Sequence, residues 1–295
     1  MLSDSCGFIT LSHGPSPPRI ILAFRGTYSI ANTITDLSTI PQDYVPYPDN
    51  EKDELDSKPT SKCSNCTVHM GFMRSWKNTK SAILADVEKL VKRYPDYQLT
   101  LVGHSLGGAV ATLASLDFRA KGWNPKITTF GEPRVGNQQL AEYIDTTFSV
   151  DSHIRGKFRR VTHINDPVPL LPLTEWGYHP HGGEIFISKQ EVPPAAKDLH
   201  YCKGNVDPNC IAGSEETQIG SIGDLIAKGN ASTNGFMDWW KESKGRWSIP
   251  SRWKIWELFF AHRDYFWRLG LCVPWSDPSD WFNHVSESTF EPAEL

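Results

Sequence analysis

The stretch Val102-Gly103-His104-Ser105-Leu106-Gly107-Gly108-Ala109 constrains this chain more than any other. Before it, Tyr97-Gln-Leu-Thr-Leu-Val102 reads as a strand. After it, Leu106 to Arg119 is rich in Ala and Leu and reads as a buried helix closed by Gly122. A Gly-x-Ser-x-Gly turn between a strand and a helix has a specific chemical use. The serine sits on a strained backbone with its hydroxyl exposed. Side chains at the two flanking glycine positions would collide with neighbouring backbone. The helix that follows aims its positive N-terminal end at charge developing on a substrate oxygen. The bare pattern arises by chance in chains of this size, so its weight comes from the strand before it and the helix after it.

The rest of the chain repeats this alternation. Arg19-Ile-Ile-Leu-Ala-Phe24 is an apolar run stopped by Gly26 and reads as a buried strand. Residues 41–62 carry many Pro, Asp, Glu and Lys without periodicity and read as a surface loop. Phe72, Trp76, Ile83, Leu84, Val87, Leu90, Val91 and Tyr94 recur at helical spacing up to Pro95. They predict a long amphipathic helix over about 71–93. Lys126–Phe130, Phe158–His163 and Glu184–Ile187 are further strands, with a helix near 136–148. Residues 189–235 look loop-rich, and the last 60 are Trp-rich and partly helical. Strands alternating with helices at this spacing indicate an α/β sheet. No repeat or linker divides the chain, which reads as a single domain over 1–295.

Charge and composition exclude several classes. The net charge is −4 and the pI near 6.2, so nothing favours nucleic acid. The cluster Arg155, Lys157, Arg159 and Arg160 reads as a solvated strand entry. No apolar run is long enough to span a bilayer. Six cysteines fall at 6, 63, 66, 202, 210 and 272. The close pairs Cys63/Cys66 and Cys202/Cys210 suggest two local disulfides. Cys-x-x-Cys could be half a zinc site or a redox motif, but no second pair completes zinc and no thioredoxin-like unit surrounds it. Asn65-Cys66-Thr67 and Asn230-Ala231-Ser232 are glycosylation sequons. Cysteines and sequons point to secretion, whereas Met1-Leu-Ser-Asp-Ser-Cys-Gly carries no export signal. A chain lacking its natural beginning would reconcile the two.

A nucleophilic serine needs a base, and the base an orienting carboxylate. In the α/β-hydrolase order the acid follows the serine and the histidine follows the acid. The best acid is Asp166 in His163-Ile-Asn-Asp166-Pro167, just past a strand. His179, His181, His200, His262 and His284 all qualify as base by order. His179 and His181 with Glu184 could suggest a metal site, but one residue across a proline is poor spacing for two ligands. They read better as loop histidines near the active-site rim, and neither metal nor cofactor is expected. Leu106, the residue after the nucleophile, should offer its N–H to an oxyanion. In Ser29–Leu37, Ile30, Ile34 and Leu37 share one face of a short helix, with Asn32, Thr33 and Asp36 elsewhere.

The motifs Ile21-Leu-Ala-Phe-Arg-Gly-Thr27, Cys63-Ser-Asn-Cys-Thr-Val-His-Met-Gly-Phe72, Tyr94-Pro-Asp-Tyr97, Gly103-His-Ser-Leu-Gly-Gly108, Gly131-Glu-Pro-Arg-Val-Gly-Asn137, Thr162-His-Ile-Asn-Asp-Pro-Val-Pro169 and Ala261-His-Arg-Asp-Tyr-Phe266 follow one another in order. Together they resemble the class 3 lipases of fungi and yeasts, a family that includes feruloyl esterases. The resemblance implies an α/β-hydrolase fold with a central, mostly parallel sheet flanked by helices and a short helical lid at about 28–40. It makes Asp166 the triad acid and selects His262 as base. It makes Thr27 the second oxyanion donor, with Asp36 holding its rotamer, and Ile30, Ile34 and Leu37 the apolar face of the lid. Thr33 stands where some relatives carry a lid tryptophan. Cys272 matches a family cysteine that bonds to an N-terminal helix which this chain does not show; Cys6 lies at the first strand instead.

The segment at about 220–258 is longer than is usual in the family. Its Trp239, Trp240, Trp247, Trp253 and Trp256 read as a core extension behind His262 or as a lipid-facing surface, the core reading being preferred. The function implied is a serine carboxylic-ester hydrolase, foremost a triacylglycerol lipase acting through an acyl-serine. The alternatives are a feruloyl or other soluble-ester esterase, and an inactive lipid-binding relative, which the intact Ser/Asp/His set argues against. A secreted monomer is expected, with a lipid or ester substrate and transient contact with a lipid–water interface.

Overall fold

The structure is a computed structural model that describes residues 6–26, 41–44, 63–150, 156–214 and 261–269. Its main sheet has seven strands: β1 (Cys6–Ser12), β2 (Arg19–Arg25), β5 (Gln98–His104), β6 (Lys126–Phe130), β7 (Phe158–His163), β8 (Glu184–Ile187) and β9 (Leu199–Tyr201), side by side in that order. The five inner strands, β2 to β8, run parallel. The edges β1 and β9 are antiparallel to their neighbours. This is the mostly parallel sheet expected. A separate hairpin pairs β3 (Pro41–Asp43) with β4 (Thr67–His69). The start of the expected 41–62 loop is therefore a strand. Its three residues are too few for alternation to reveal it, and its partner lies far along the chain.

Among the described residues, three long helices join the strands: α1 (Met70–Arg93), α2 (Leu106–Ala120) and α3 (Gln138–Phe148). The long helix α1 keeps the predicted amphipathic form, with Phe72, Met73, Trp76 and Val87 buried. Helix α2 differs: thirteen of its fifteen residues are buried. That burial explains its Ala- and Gly-rich sequence, because small side chains let it press against the sheet. Trp76 Nε1 donates to Asp117 Oδ2 at 2.8 Å, and Lys80 pairs with the same carboxylate at 3.1 Å. Both tie α1 to α2. Asn137 caps α3 by accepting from Leu140 N.

The core packs Leu22, Phe24, Leu101 and Ile127 of the sheet against Leu113, Phe118, Ile144 and Phe148 of the helices. Arg160 does not belong to a solvated cluster. It is buried, and its Nη2 pairs with Glu184 Oε2 at 2.9 Å while its Nε donates to the His181 carbonyl. Glu184 also accepts from the Thr162 hydroxyl at 2.6 Å and from Ile211 N at 3.1 Å. A charge in a strand reads as solvated when its partner sits on a neighbouring strand out of sequence range. Lys157 and Arg159 are exposed as expected, and Arg155 lies outside the described residues.

Both disulfides form as read. Cys63–Cys66 has a Cα–Cα distance of 5.6 Å and Cys202–Cys210 one of 6.1 Å. The lid at about 28–40, the tryptophans at 239–256 and Cys272 lie outside the described residues.

Candidate active site

The two glycines around Ser105 are explained by close approach. A Cβ on Gly103 would overlap the Gly107 carbonyl, and one on Gly107 would overlap the Phe24 carbonyl. Helix α2 can then begin directly against β2 and β5. The serine between them sits at φ 57°, ψ −131°, in the left-handed half of backbone space. Its N–H is held by the Phe130 carbonyl at 2.9 Å, and its own carbonyl accepts from Gly108 N at 2.8 Å. A residue with a side chain is thus fixed in a conformation it rarely adopts, at a turn between strand and helix. Leu106 opens α2, where first-turn N–H groups have no partner within the helix. Gly26 lies close by: a Cβ there would stand 2.7 Å from the Ser105 Cβ. Thr27, Ile30, Ile34, Asp36 and Leu37 lie outside the described residues.

Asp166 follows β7 in a turn closed by its own N–H to the His163 carbonyl at 3.1 Å, with Asn165 at φ 68°. The carboxylate is fully buried. It accepts from Val168 N at 3.0 Å, and Oδ1 and Oδ2 each lie 3.0 Å from His262 Nδ1. The Tyr265 hydroxyl donates to Oδ2 at 2.5 Å. Burial alone would raise the pKa of this group. The neighbouring His262, its hydrogen bond, the Tyr265 hydroxyl and the Val168 N–H outweigh that and hold it below the ordinary carboxylate value. The same contact leaves Tyr265, buried against an anion, well above the usual phenol value.

Four of the five histidines eligible by chain order are described, and they are placed differently. His262 is buried against Asp166. An ionised carboxylate only accepts, so Nδ1 of His262 carries a proton, and Nε2 is the nitrogen whose lone pair the neutral tautomer would offer. That Nε2 is buried and makes no hydrogen bond among the described residues. His179 pairs its main chain with Gly136, and His200 faces Ser188 Oγ at 3.1 Å on the exposed edge strand. His181 is not a rim residue. It is buried, with Nε2 3.3 Å from Glu132 Oε1, and the hydroxyls of Thr112 and Thr129 donate to the two oxygens of that Glu132. A histidine in a Gly- and Pro-rich run reads as exposed until its distant carboxylate partner is known. His284 lies outside the described residues.

Two contributors lie within the quoted motifs but receive no role from them. Tyr265 is one; its signal was its place three residues after His262. The other is Gly131, at φ +57°, directly after β6. A Cβ there would stand 2.6 Å from the Tyr265 hydroxyl, 2.9 Å from His262 Cε1 and 3.0 Å from Asp166 Oδ2. The sulfurs of Cys202 and Cys210 lie near Glu184, but a disulfide has no thiolate to offer a metal.

The chain has recognisable relatives. The family model for Lipase (class 3) matches residues 21–176. The chain is 52% identical over 299 residues to a protein of Gibberella zeae named secreted mono- and diacylglycerol lipase 2, covering 95% of this chain and 72% of that one. It is 47% identical over 317 residues to Lipase A of Sodiomyces alcalophilus, covering 99% and 75%. The crystal structure of Lip2 lipase from Yarrowia lipolytica superposes with a TM-score of 0.64 at 31% identity, covering 74% of each chain. On sequence, fold and family match together, the chain belongs to the class 3 lipases and is a carboxylic ester hydrolase.

Proposed function

We propose that this protein hydrolyses acylglycerol esters through an acyl-Ser105 intermediate. One observation carries the reading. A buried imidazole, His262, is held by a buried carboxylate on Nδ1, and its Nε2 makes no hydrogen bond among the described residues, beside the strand end that bears Ser105. The Ser105 hydroxyl adds to the ester carbonyl as its proton passes to His262 Nε2. The N–H groups of Leu106 and Thr27 stabilise the oxyanion, with Asp36 fixing Thr27. His262 then protonates the departing glycerol oxygen. Water attacks the acyl-serine by the same proton route, freeing the fatty acid and restoring Ser105. Asp166 keeps the His262 tautomer and balances its charge.

Partial glycerides are the preferred substrates, because the Gibberella zeae relative is named for mono- and diacylglycerols. Triacylglycerol and soluble esters such as ferulates follow. Contact with a lipid–water interface is supported by the apolar face Ile30, Ile34 and Leu37 of the proposed lid. Exposed Phe266 and Trp267 close after His262 add to it. We read the chain as a monomer with a single domain over 1–295, a lid at about 28–40 and a Trp-rich elaboration at about 220–258; the single seven-stranded sheet that carries both Ser105 and Asp166 supports the one domain. Two disulfides and a relative named as secreted support an extracellular enzyme. No helix among the described residues is long and apolar enough to cross a membrane.

The test compares initial rates on monoacylglycerol, diacylglycerol and triacylglycerol emulsions and on methyl ferulate, with Ser105→Ala as blank. An organophosphonate adduct is mapped in parallel. The expected result is fastest release from partial glycerides, a Ser105 adduct and a silent variant. Activity on ferulate alone, or an active Ser105→Ala, overturns the proposal.

A further inference from the structure

We infer that His104 is a positioning residue for the candidate base: its ring N–H tethers the main chain of His262, and its ring face supports the His262 imidazole. The inference rests on the role proposed for His262 and goes beyond it.

His262 needs such a tether. Ser105 and Asp166 each follow a strand of the main sheet, so register fixes them. His262 instead lies in Ala261–Leu269, which opens on a helical residue and goes on in turns and bends; its bridge among the described residues, Asp264 to Arg268, is local. Within that run the main-chain bonds join Tyr265 to Trp267 and Leu269 to Arg263. None of these reaches the sheet. The main chain at His262 meets the sheet through His104, the last residue of β5. Its Nε2 lies 2.6 Å from the His262 carbonyl, across 158 positions of sequence. Its ring lies 4.5 Å from the His262 ring, tilted by 38°. A carbonyl only accepts, so Nε2 of His104 carries the proton and donates. His262 is then held at two points, through Nδ1 by Asp166 and through its carbonyl by His104. Two points fix both the placement and the rotation of a ring.

The neighbours also keep His104 uncharged. Facing it are His262, Asp166, Arg263 and the ring of Tyr265 at 5.9 Å. Burial, then the adjacent His262, push its pKa down to about 3. A neutral ring therefore lies beside His262 when that imidazole takes the serine proton. A second imidazolium at this distance would oppose the transfer. This gives a use to the unassigned position between Gly103 and Ser105, which spacing alone leaves open.

Two variants separate ring from donor: His104→Phe keeps a ring and loses the N–H, and His104→Gln keeps a donor and loses the ring. Both are assayed on a short-chain p-nitrophenyl ester across pH, with active sites counted by organophosphonate. His104→Phe is expected to lose roughly 10- to 100-fold in kcat, with KM within about twofold, as for a base displaced by a fraction of an ångström. His104→Gln is expected to recover about tenfold of that loss, the worth of one hydrogen bond. It should also move the acidic limb of the kcat profile, because the ring that lies beside His262 is gone. Wild-type kcat in His104→Phe, or an unmoved limb in His104→Gln, overturns the inference. Should either variant fail to fold, imidazole ¹⁵N spectra of the wild type decide. His104, assigned by its contacts to the His262 ring, must keep Nε2 protonated and stay neutral from about pH 8 to about pH 4. Titration within that window overturns the inference. An active Ser105→Ala in the same assay would instead reject the functional reading on which the inference rests.

Discussion

Removing one oxygen, in Tyr265→Phe, probes the chemistry of the site with little change in its packing. The phenol ring is buried and sits edge-on to Phe130, 5.6 Å between centroids. A phenylalanine ring fills the same space. What disappears is the 2.5 Å bond from the hydroxyl to Asp166 Oδ2. Its acceptor is a buried, ionised carboxylate, and hydrogen bonds to such groups contribute about 1.5–3 kcal/mol. Asp166 keeps Val168 N and His262 Nδ1 as partners, so the carboxylate stays paired and the loss stays within that range. The variant should therefore unfold in urea with a free energy lower by about 1.5–3 kcal/mol at pH 7. Catalysis should suffer too, because Asp166 is freer to swing and carry His262 with it. A loss of about tenfold in kcat corresponds to about 1.4 kcal/mol, roughly half of that bond. KM should hold, since the hydroxyl faces the carboxylate and not the substrate. Urea melts followed by tryptophan fluorescence, with kcat on a soluble ester, give both numbers. Stability and kcat both equal to wild type would refute a charge-assisted bond at this position.

Gly131→Ala should cost activity more than stability. The new methyl meets the Tyr265 hydroxyl, His262 Cε1 and Asp166 Oδ2 at once, on a backbone at φ +57°. A fall in kcat/KM of about 100-fold or more is expected in folded protein, and full activity would contradict the geometry. Acid should weaken the fold before the carboxylates titrate. His104 has a folded pKa of about 3, against about 6.5 when unfolded. The unfolded chain therefore binds a proton that the folded one refuses. Stability is lost as pH falls from about 6.5 towards 3, by up to about 1.4 kcal/mol per pH unit for this group. Buried His163, also shifted downward by burial, adds in the same sense. Asp166 acts lower on the scale: its pKa is depressed, so the stability it contributes disappears as pH falls below its unfolded value. Urea midpoints between about pH 6.5 and pH 4.5 should fall steeply in wild type and less in His104→Gln. Equal slopes would refute the assignment.

The elements that periodicity marks are the ones with room to show it. Helices α1 and α2 and strands β5 to β8 are long enough, or apolar enough, to carry a pattern. Strands β3, β4 and β9 have three residues each. Their identity comes from the partner strand, which local sequence does not contain. The same reason explains the misread charges. Arg160 and His181 look like surface residues because Glu184 and Glu132, which make their burial possible, are 24 and 49 positions away. A buried polar pair is a tertiary fact. Ser105 and Asp166 were legible because a local turn motif or a strand end marks each. His262 was not, since five histidines met the order rule and only the family resemblance chose among them.

That asymmetry follows from how the site is assembled. Parallel strands end on one edge of the sheet, where side chains of neighbouring strands converge. Gly26 follows β2, Ser105 follows β5, Gly131 follows β6 and Asp166 follows β7, on four adjacent strands. Register alone brings these four together, and each strand can be read from its own residues. The candidate base comes from outside the sheet, on a segment with no strand ladder among the described residues. Its position has to be imposed by side chains reaching across: Asp166 to the ring, His104 to the main chain, Tyr265 to the carboxylate that holds the ring. None of these contacts leaves a local pattern, since each joins residues about a hundred positions or more apart. The part of the site that is hardest to read is thus the part held by contacts far apart in sequence. Substitutions at His104 and Tyr265 should therefore change the rate while leaving the sheet, and the nucleophile on it, in place.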